Sequence, residues 1–426
     1  MNILTEGQIM KRRILAGFAA AFIAASLMTA PASAYTKYSD TLDTTGATAT
    51  ITKYLIMDKG VAAPNVTMTY SLAADGTNVT GTASADSYNV YAGIMEGVKI
   101  NNAEVTSTNV SFDNTSTTSS VATATGLTSS FNGETQAYVS GNFNISFAEV
   151  KFPEPGVYRY TLTETDNRDD VTPIDNETRT VDVFVVDGSK YVEGEYTKKL
   201  NIASVVVYSD QITSIKKSDI ETASTSKSSA FNNAYVSHDI ELSKTVTGNQ
   251  GSKDKYFEFE VAITNAGNST KIMVDLTGAD ASLDKTKTIN SSITAETNPA
   301  SITTDASGAV TQTFYLTHGQ KIKLQGLPDG AAYTITEKNA SDYTAAMTAT
   351  EAVNGTNTTA PNTATAYVVS DTAIKADTTI GYTNNKEGTI PTGVILSVAG
   401  PAVIGIIVVG ALVFVNVKRK KESAED

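Results

Sequence analysis

The 426-residue chain contains no cysteine and no tryptophan, and only two histidines, His238 and His318. Without cysteine there is no disulfide, no thiol nucleophile, no cysteine-ligated metal and no thioester built from Cys and Gln. The histidines stand far apart, with no second histidine at ligand spacing, so each is expected to be a satisfied or solvent-facing imidazole. The sequence offers no phosphate-binding glycine loop and no Ser/His/Asp set at workable spacing, which argues against an enzyme. Positive charge is scarce: 32 Lys and Arg against 45 Asp and Glu give a net charge of −13. Residues 1–34 carry +2 and residues 393–426 carry +1, leaving −16 on the segment between them. That balance argues against nucleic acid and polyanionic wall polymers as partners. The stretch Asp166-Asn167-Arg168-Asp169-Asp170 lacks EF-hand spacing and includes an arginine, so a solvated turn is expected rather than a calcium site. No metal and no cofactor is implied.

Two long apolar runs stand at the ends. Lys11-Arg12-Arg13 precedes the run from Ile14 to Met28, and Ala32-Ser33-Ala34 supplies a small-residue cleavage site. Residues 1–34 therefore read as an export signal, with Met1 or Met10 as initiator, and the exported chain is expected to start at Tyr35. The second run, Val394 to Val417, is apolar but for Ser397 and Asn416 and long enough to span a bilayer. Lys418, Arg419, Lys420 and Lys421 would hold its far end in the cytoplasm. Thr389-Ile390-Pro391-Thr392-Gly393 stands just before it. Residues 389–426 thus resemble the cell-wall sorting signal of Gram-positive bacteria. The resemblance implies that a sortase cuts between Thr392 and Gly393 and passes the Thr392 carboxyl to an amine. A plain C-terminal membrane anchor is the alternative.

Between the ends, short segments alternate with period two, as in Val157-Tyr158-Arg159-Tyr160-Thr161-Leu162, Thr180 to Val186, and Phe257-Glu258-Phe259-Glu260-Val261. Turn residues separate them, and nothing keeps a long helical period, so half-buried antiparallel strands and an all-β chain are expected. A weak repeat divides the chain. Its first unit opens with Ile51-Thr52-Lys53-Tyr54-Leu55, continues with Tyr160-Thr161-Leu162-Thr163-Glu164, and closes at Phe231-Asn232-Asn233. The second opens with Glu241-Leu242-Ser243-Lys244, continues with Tyr333-Thr334-Ile335-Thr336-Glu337, and closes at Tyr382-Thr383-Asn384-Asn385. The implied architecture is two tandem β-sandwich domains of Ig-like or Cna type, over 35–236 and 237–388.

Lysine, glutamate and asparagine brought together in a dry core have a chemistry of their own. Burial discharges the amine and makes it nucleophilic, and it keeps a carboxyl protonated. Such an acid can polarise the carboxamide and carry a proton to departing ammonia, leaving a Lys–Asn amide. The reaction happens once per site, without turnover. The alternative is a set of ordinary surface residues at strand ends. Adjacent strand residues face opposite ways, and Phe231 and Tyr382 lie two positions before Asn233 and Asn384, which favours these over Asn232 and Asn385.

On these motifs and their order, the chain resembles the FctA-type two-domain major pilins of streptococci over most of residues 47–393. The resemblance implies an isopeptide bond from Lys53 to Asn233 assisted by Glu164, and one from Lys244 to Asn384 assisted by Glu337. It also implies a structural pilin subunit, anchored to the Gram-positive cell wall after passing through a membrane-inserted precursor. Its partners would be sortase, neighbouring subunits in a covalent homopolymer and peptidoglycan, with minor pilins and host surfaces as further ones. No Tyr-Pro-Lys-Asn motif is present. The amine that receives Thr392 is instead expected at Lys227, within Ser224-Thr225-Ser226-Lys227-Ser228-Ser229, with Lys216 and Lys217 as rivals. A monomeric wall-anchored adhesin or stalk is the alternative function.

Overall fold

In the computed structural model, the described residues are 46–388 apart from 77–88, 189, 193–194, 198–199, 210–226, 279–299, 339 and 350–365. The export signal, the sorting signal with Thr392 and Gly393, and Lys216 and Lys217 lie outside them. The described residues form strands and turns with no α-helix, and the protein is all-β.

The strands up to Tyr235 form two packed sheets, apart from the separate two-stranded pair Lys190–Val192 and Glu195–Thr197. One has the order Lys99–Ile100, Gln136–Ser146, Thr48–Asp58, Ala230–Tyr235, Val171–Pro173. The other runs Leu200–Tyr208, Thr178–Asp187, Gly156–Thr165, Val66–Ala74, Ser107–Phe112, with Val90–Ala92 beside Gly156–Thr165. Their inner faces share one apolar core that includes Ile51, Leu55, Tyr70, Phe143, Tyr160, Val183 and Phe231. The strands from Ser237 onward form a second pair of sheets around a separate core, which includes Leu242, Phe257, Phe259, Ile335 and Tyr382.

Period two explains these elements. Phe257–Thr264 buries Phe257, Phe259, Val261 and Ile263 and leaves the residues between them partly exposed. Thr178–Asp187 departs from that pattern, with an unbroken buried run from Arg179 to Val185. Its second face packs in another cluster of Val90, Val157, Phe184, Val206 and Tyr208. There Arg159 Nε donates to Asp182 Oδ1 at 2.8 Å and Nη2 to Oδ2 at 3.0 Å, a two-pronged pair that lets both charges be buried. This strand is therefore buried on both sides, not on one as its alternation suggests.

In each half, the opening and closing strands lie side by side, parallel, inside one sheet. Thr48–Asp58 pairs with Ala230–Tyr235, and Ser237–Thr247 with Thr378–Asn385. A parallel pair needs a long crossover, and here nearly the whole domain provides it.

The expected solvated turn at 166–170 holds at Asn167 and Asp169, which are exposed, and fails at its far end. Asp170 is buried, and its carboxylate accepts two bonds from the Arg168 guanidinium, at 2.7 and 2.6 Å. That guanidinium lies 5.9 Å from the Tyr235 ring centre and against Gly267, whose φ of +73° and lack of a side chain leave it room. Short-range charge pairing and contact with the second set of sheets outweigh solvation here. The two histidines are satisfied, as expected: His238 Nε2 lies 2.9 Å from Asp329 Oδ1, and His318 Nδ1 accepts from the Val246 amide at 2.9 Å.

Candidate crosslinking sites

The register of the parallel pairs brings lysine and asparagine together. Lys53 stands opposite Phe231 and Leu55 opposite Asn233. Lys244 stands opposite Tyr382 and Val246 opposite Asn384. In both halves the asparagine is thus two residues beyond the lysine's partner, on the same inward face. The glutamate arrives from the facing sheet: Glu164 on Gly156–Thr165, paired with Tyr70, and Glu337 on Ala332–Lys338, paired with Phe259.

One carboxylate oxygen meets both nitrogens. Glu164 Oε1 lies 2.7 Å from Lys53 Nζ and accepts from Asn233 Nδ2 at 2.8 Å. Glu337 Oε1 lies 2.8 Å from Lys244 Nζ and accepts from Asn384 Nδ2 at 2.8 Å. All six residues are at most 2% exposed, which separates them from surface residues at strand ends. Lys244 and Glu337 thus form a buried ion pair. Among the described residues, Glu337 Oε2 and Asn384 Oδ1 lack hydrogen-bond partners. Two unpartnered oxygens in one dry site are costly.

Burial acts on both lysines. It lowers the Lys53 amine against the opposing pull of Glu164, and it brings Lys244 down to about 8. The Glu337 carboxyl is pushed up, again by burial. The Lys244 ammonium lies 4.3 Å from the Phe257 ring centre, which keeps some compensation for its charge. Each triad therefore sets an amine whose charge is disfavoured by burial against a carboxamide, with one carboxylate oxygen between their nitrogens.

The neighbouring asparagines are used otherwise. Asn232 Nδ2 donates to Asp175 Oδ2 at 2.9 Å and to the Gly126 carbonyl at 3.1 Å. Asn385 Oδ1 accepts from Thr247 Oγ1 at 3.0 Å. Lys227 belongs to neither triad. It is half-buried and bridges by its backbone to Tyr208, at the end of the edge strand Leu200–Tyr208. Sequence reasoning missed Tyr70, whose hydroxyl donates to Glu164 Oε2 at 2.6 Å. Only strand register puts these two residues together.

The displaced lysine predicts a pH dependence that needs no crosslink. In Asn384→Ala the Lys244 amine persists. With a folded-state value near 8 against 10.5 ordinarily, the folded protein gives up a proton that the unfolded chain retains until higher pH. Stability should therefore rise as pH climbs from about 8 to about 10. Glu337 acts oppositely, costing stability as pH rises above 4.5, and both variants compared below retain it. Thermal melts should show the alkaline gain in Asn384→Ala and its loss in Asn384→Ala/Lys244→Met.

Comparison with known proteins agrees with the sequence motifs. Residues 238–386 match a domain of unknown function, DUF7601. A protein named Pilin from Streptococcus pyogenes serotype M1 is 29% identical over 279 residues, 64% of this chain and 70% of that one. The pilus tip adhesin Cpa of Streptococcus pyogenes is 29% identical over 158 residues, 37% of this chain and 18% of the adhesin. The crystal structure of the major pilin from Streptococcus pyogenes aligns with 80% of this chain and 99% of its own, at 22% identity and a TM-score of 0.46. The chain is similar to the Gram-positive FctA-type backbone pilins, as its motifs imply.

Proposed function

We propose that the chain is a structural pilus subunit of the Gram-positive cell surface, welded internally by two Lys–Asn bonds and joined to its neighbours by a sortase. The observation that carries this reading is the repeated triad, with one glutamate oxygen within 2.8 Å of both the amine and the amide nitrogen in each half. The neutral lysine Nζ attacks the asparagine Cγ. The glutamate Oε1 takes a proton from Nζ and delivers one to Nδ2, the Cγ–Nδ2 bond breaks, and ammonia leaves. The carboxyl ends as it began, and an amide joins the two strands.

Sortase would then cut after Thr392 and pass its carboxyl to Lys227 of the next subunit. The last subunit would be fixed to peptidoglycan. Lys227 is half-buried, and its backbone is bridged to the end of an edge strand. Co-expression with the cognate sortase should give a ladder of SDS-resistant multimers that disappears in Lys227→Ala. A ladder that persists there and disappears in Lys216→Ala or Lys217→Ala moves the linkage to those residues. A single wall-attached species of monomer size favours a monomeric adhesin or stalk.

A further inference from the structure

The residues that stand opposite the two glutamates differ in one hydroxyl group. Opposite Glu164 stands Tyr70, packed edge-on against Phe231 with ring centres 5.2 Å apart. Opposite Glu337 stands Phe259, packed edge-on against Tyr382 at the same 5.2 Å. The two halves thus carry the same aromatic pair with tyrosine and phenylalanine exchanged. In the first, the phenol reaches the carboxylate: Tyr70 donates to Glu164 Oε2 at 2.6 Å. In the second, it turns away: Tyr382 donates to the Ile335 carbonyl at 3.1 Å. Phe259 has no hydroxyl to offer Glu337.

We propose that Tyr70 is a positioning residue that slows the first crosslink, because its hydroxyl favours the Lys53–Glu164 ion pair over the neutral amine and acid that react. This rests on the crosslink reading above. Ion pair and neutral pair hold the same number of protons and differ only in where one of them sits. A donor on Oε2 stabilises the anion more than the acid, since hydrogen bonds to charged acceptors are the stronger ones. Buried beside Glu164, the phenol is itself pushed up and remains a donor.

The surrounding charges act in the same sense. Asp175 and Asp166 favour the Lys53 ammonium, while Lys255 opposes that of Lys244. Arg179 also faces the first site, with its guanidinium 4.2 Å from the Phe231 ring centre and held by Asp175 at 2.9 Å. Substitution of Tyr70 isolates the hydroxyl from these charges.

The full chain, pulse-labelled in a cell-free translation, can be quenched in denaturant at intervals and digested. Mass spectrometry of joined and unjoined peptides then gives the rate at each site. The second site should join first. Tyr70→Phe should speed the first site about five- to tenfold, the difference between a charged and a neutral hydrogen bond, and leave the second unchanged. Phe259→Tyr should slow the second site and leave the first unchanged. Loosened packing would lower the rate at the first site, so its acceleration separates the hydroxyl's effect from a structural one. A Tyr70→Phe rate equal to or below that of the unaltered chain overturns the proposal, as does an unchanged second site in Phe259→Tyr. Failure of either site to join in the unaltered chain overturns the crosslink reading instead, and is seen before any variant is made.

Discussion

Pulled between Lys227 and Thr392, a subunit carrying Lys244→Ala should lengthen by roughly 450–500 Å, the extended length of the chain from residue 244 to 384, and one carrying Lys53→Ala should hardly lengthen. The reason is where the proposed bonds lie relative to the tension. Force entering at Lys227 passes along Ala230–Tyr235, already an extended strand, and straight into Ser237–Thr247. At Lys244 a covalent bond would carry it across to Asn384 on the neighbouring parallel strand, and from there toward Thr392. The intervening fold would be bypassed. Without the bond, the parallel strands are sheared along their length, and the residues between them pay out. The first domain hangs from its closing strand, both ends of which lie on the tension path, so the Lys53–Asn233 bond would resist heat and proteases rather than tension. Single-molecule pulling on sortase-linked fibres decides the matter, and equal lengthening in the two variants would refute this path.

Removal of the assisting acids should have the next largest effect. Glu164→Ala and Glu337→Ala should each yield protein whose intact mass retains one ammonia molecule that the unaltered protein has lost. Each proposed bond closes a loop of about 140 to 180 residues, worth about 5 kcal/mol in chain entropy. A whole domain is stable by only about 5–15 kcal/mol. For a domain of this size the loss corresponds to a drop in Tm of about 10–20 °C. Full loss of both ammonia molecules in either variant would take the reaction away from the glutamates.

These effects bear on how much was legible beforehand. Period-two segments and the absence of any long helical period announced an all-β fold. The repeated order of lysine, glutamate and asparagine marked both triads, because a strand's inward face is fixed by counting in twos from an apolar neighbour. Phe231 thus selected Asn233 and Tyr382 selected Asn384, and both are buried against a glutamate. Counting along one strand could not place Tyr70 across from Glu164 while Phe259 faces Glu337, since that depends on register between strands about ninety and eighty residues apart in sequence. Nor could it anticipate that Arg168 and Asp170 neutralise each other against Gly267, because Gly267 and Tyr235, which cover this local pair, come from elsewhere in the chain.

The sequence by itself determined the class of fold and the acidic character, since alternation and residue chemistry are local properties, and its motifs singled out the six residues of the two triads through their resemblance to a known family. Only the tertiary structure decided that each glutamate sets a single oxygen between two nitrogens, and that one of the two has a phenol at its back. Those are distances between facing sheets, fixed by how two cores pack.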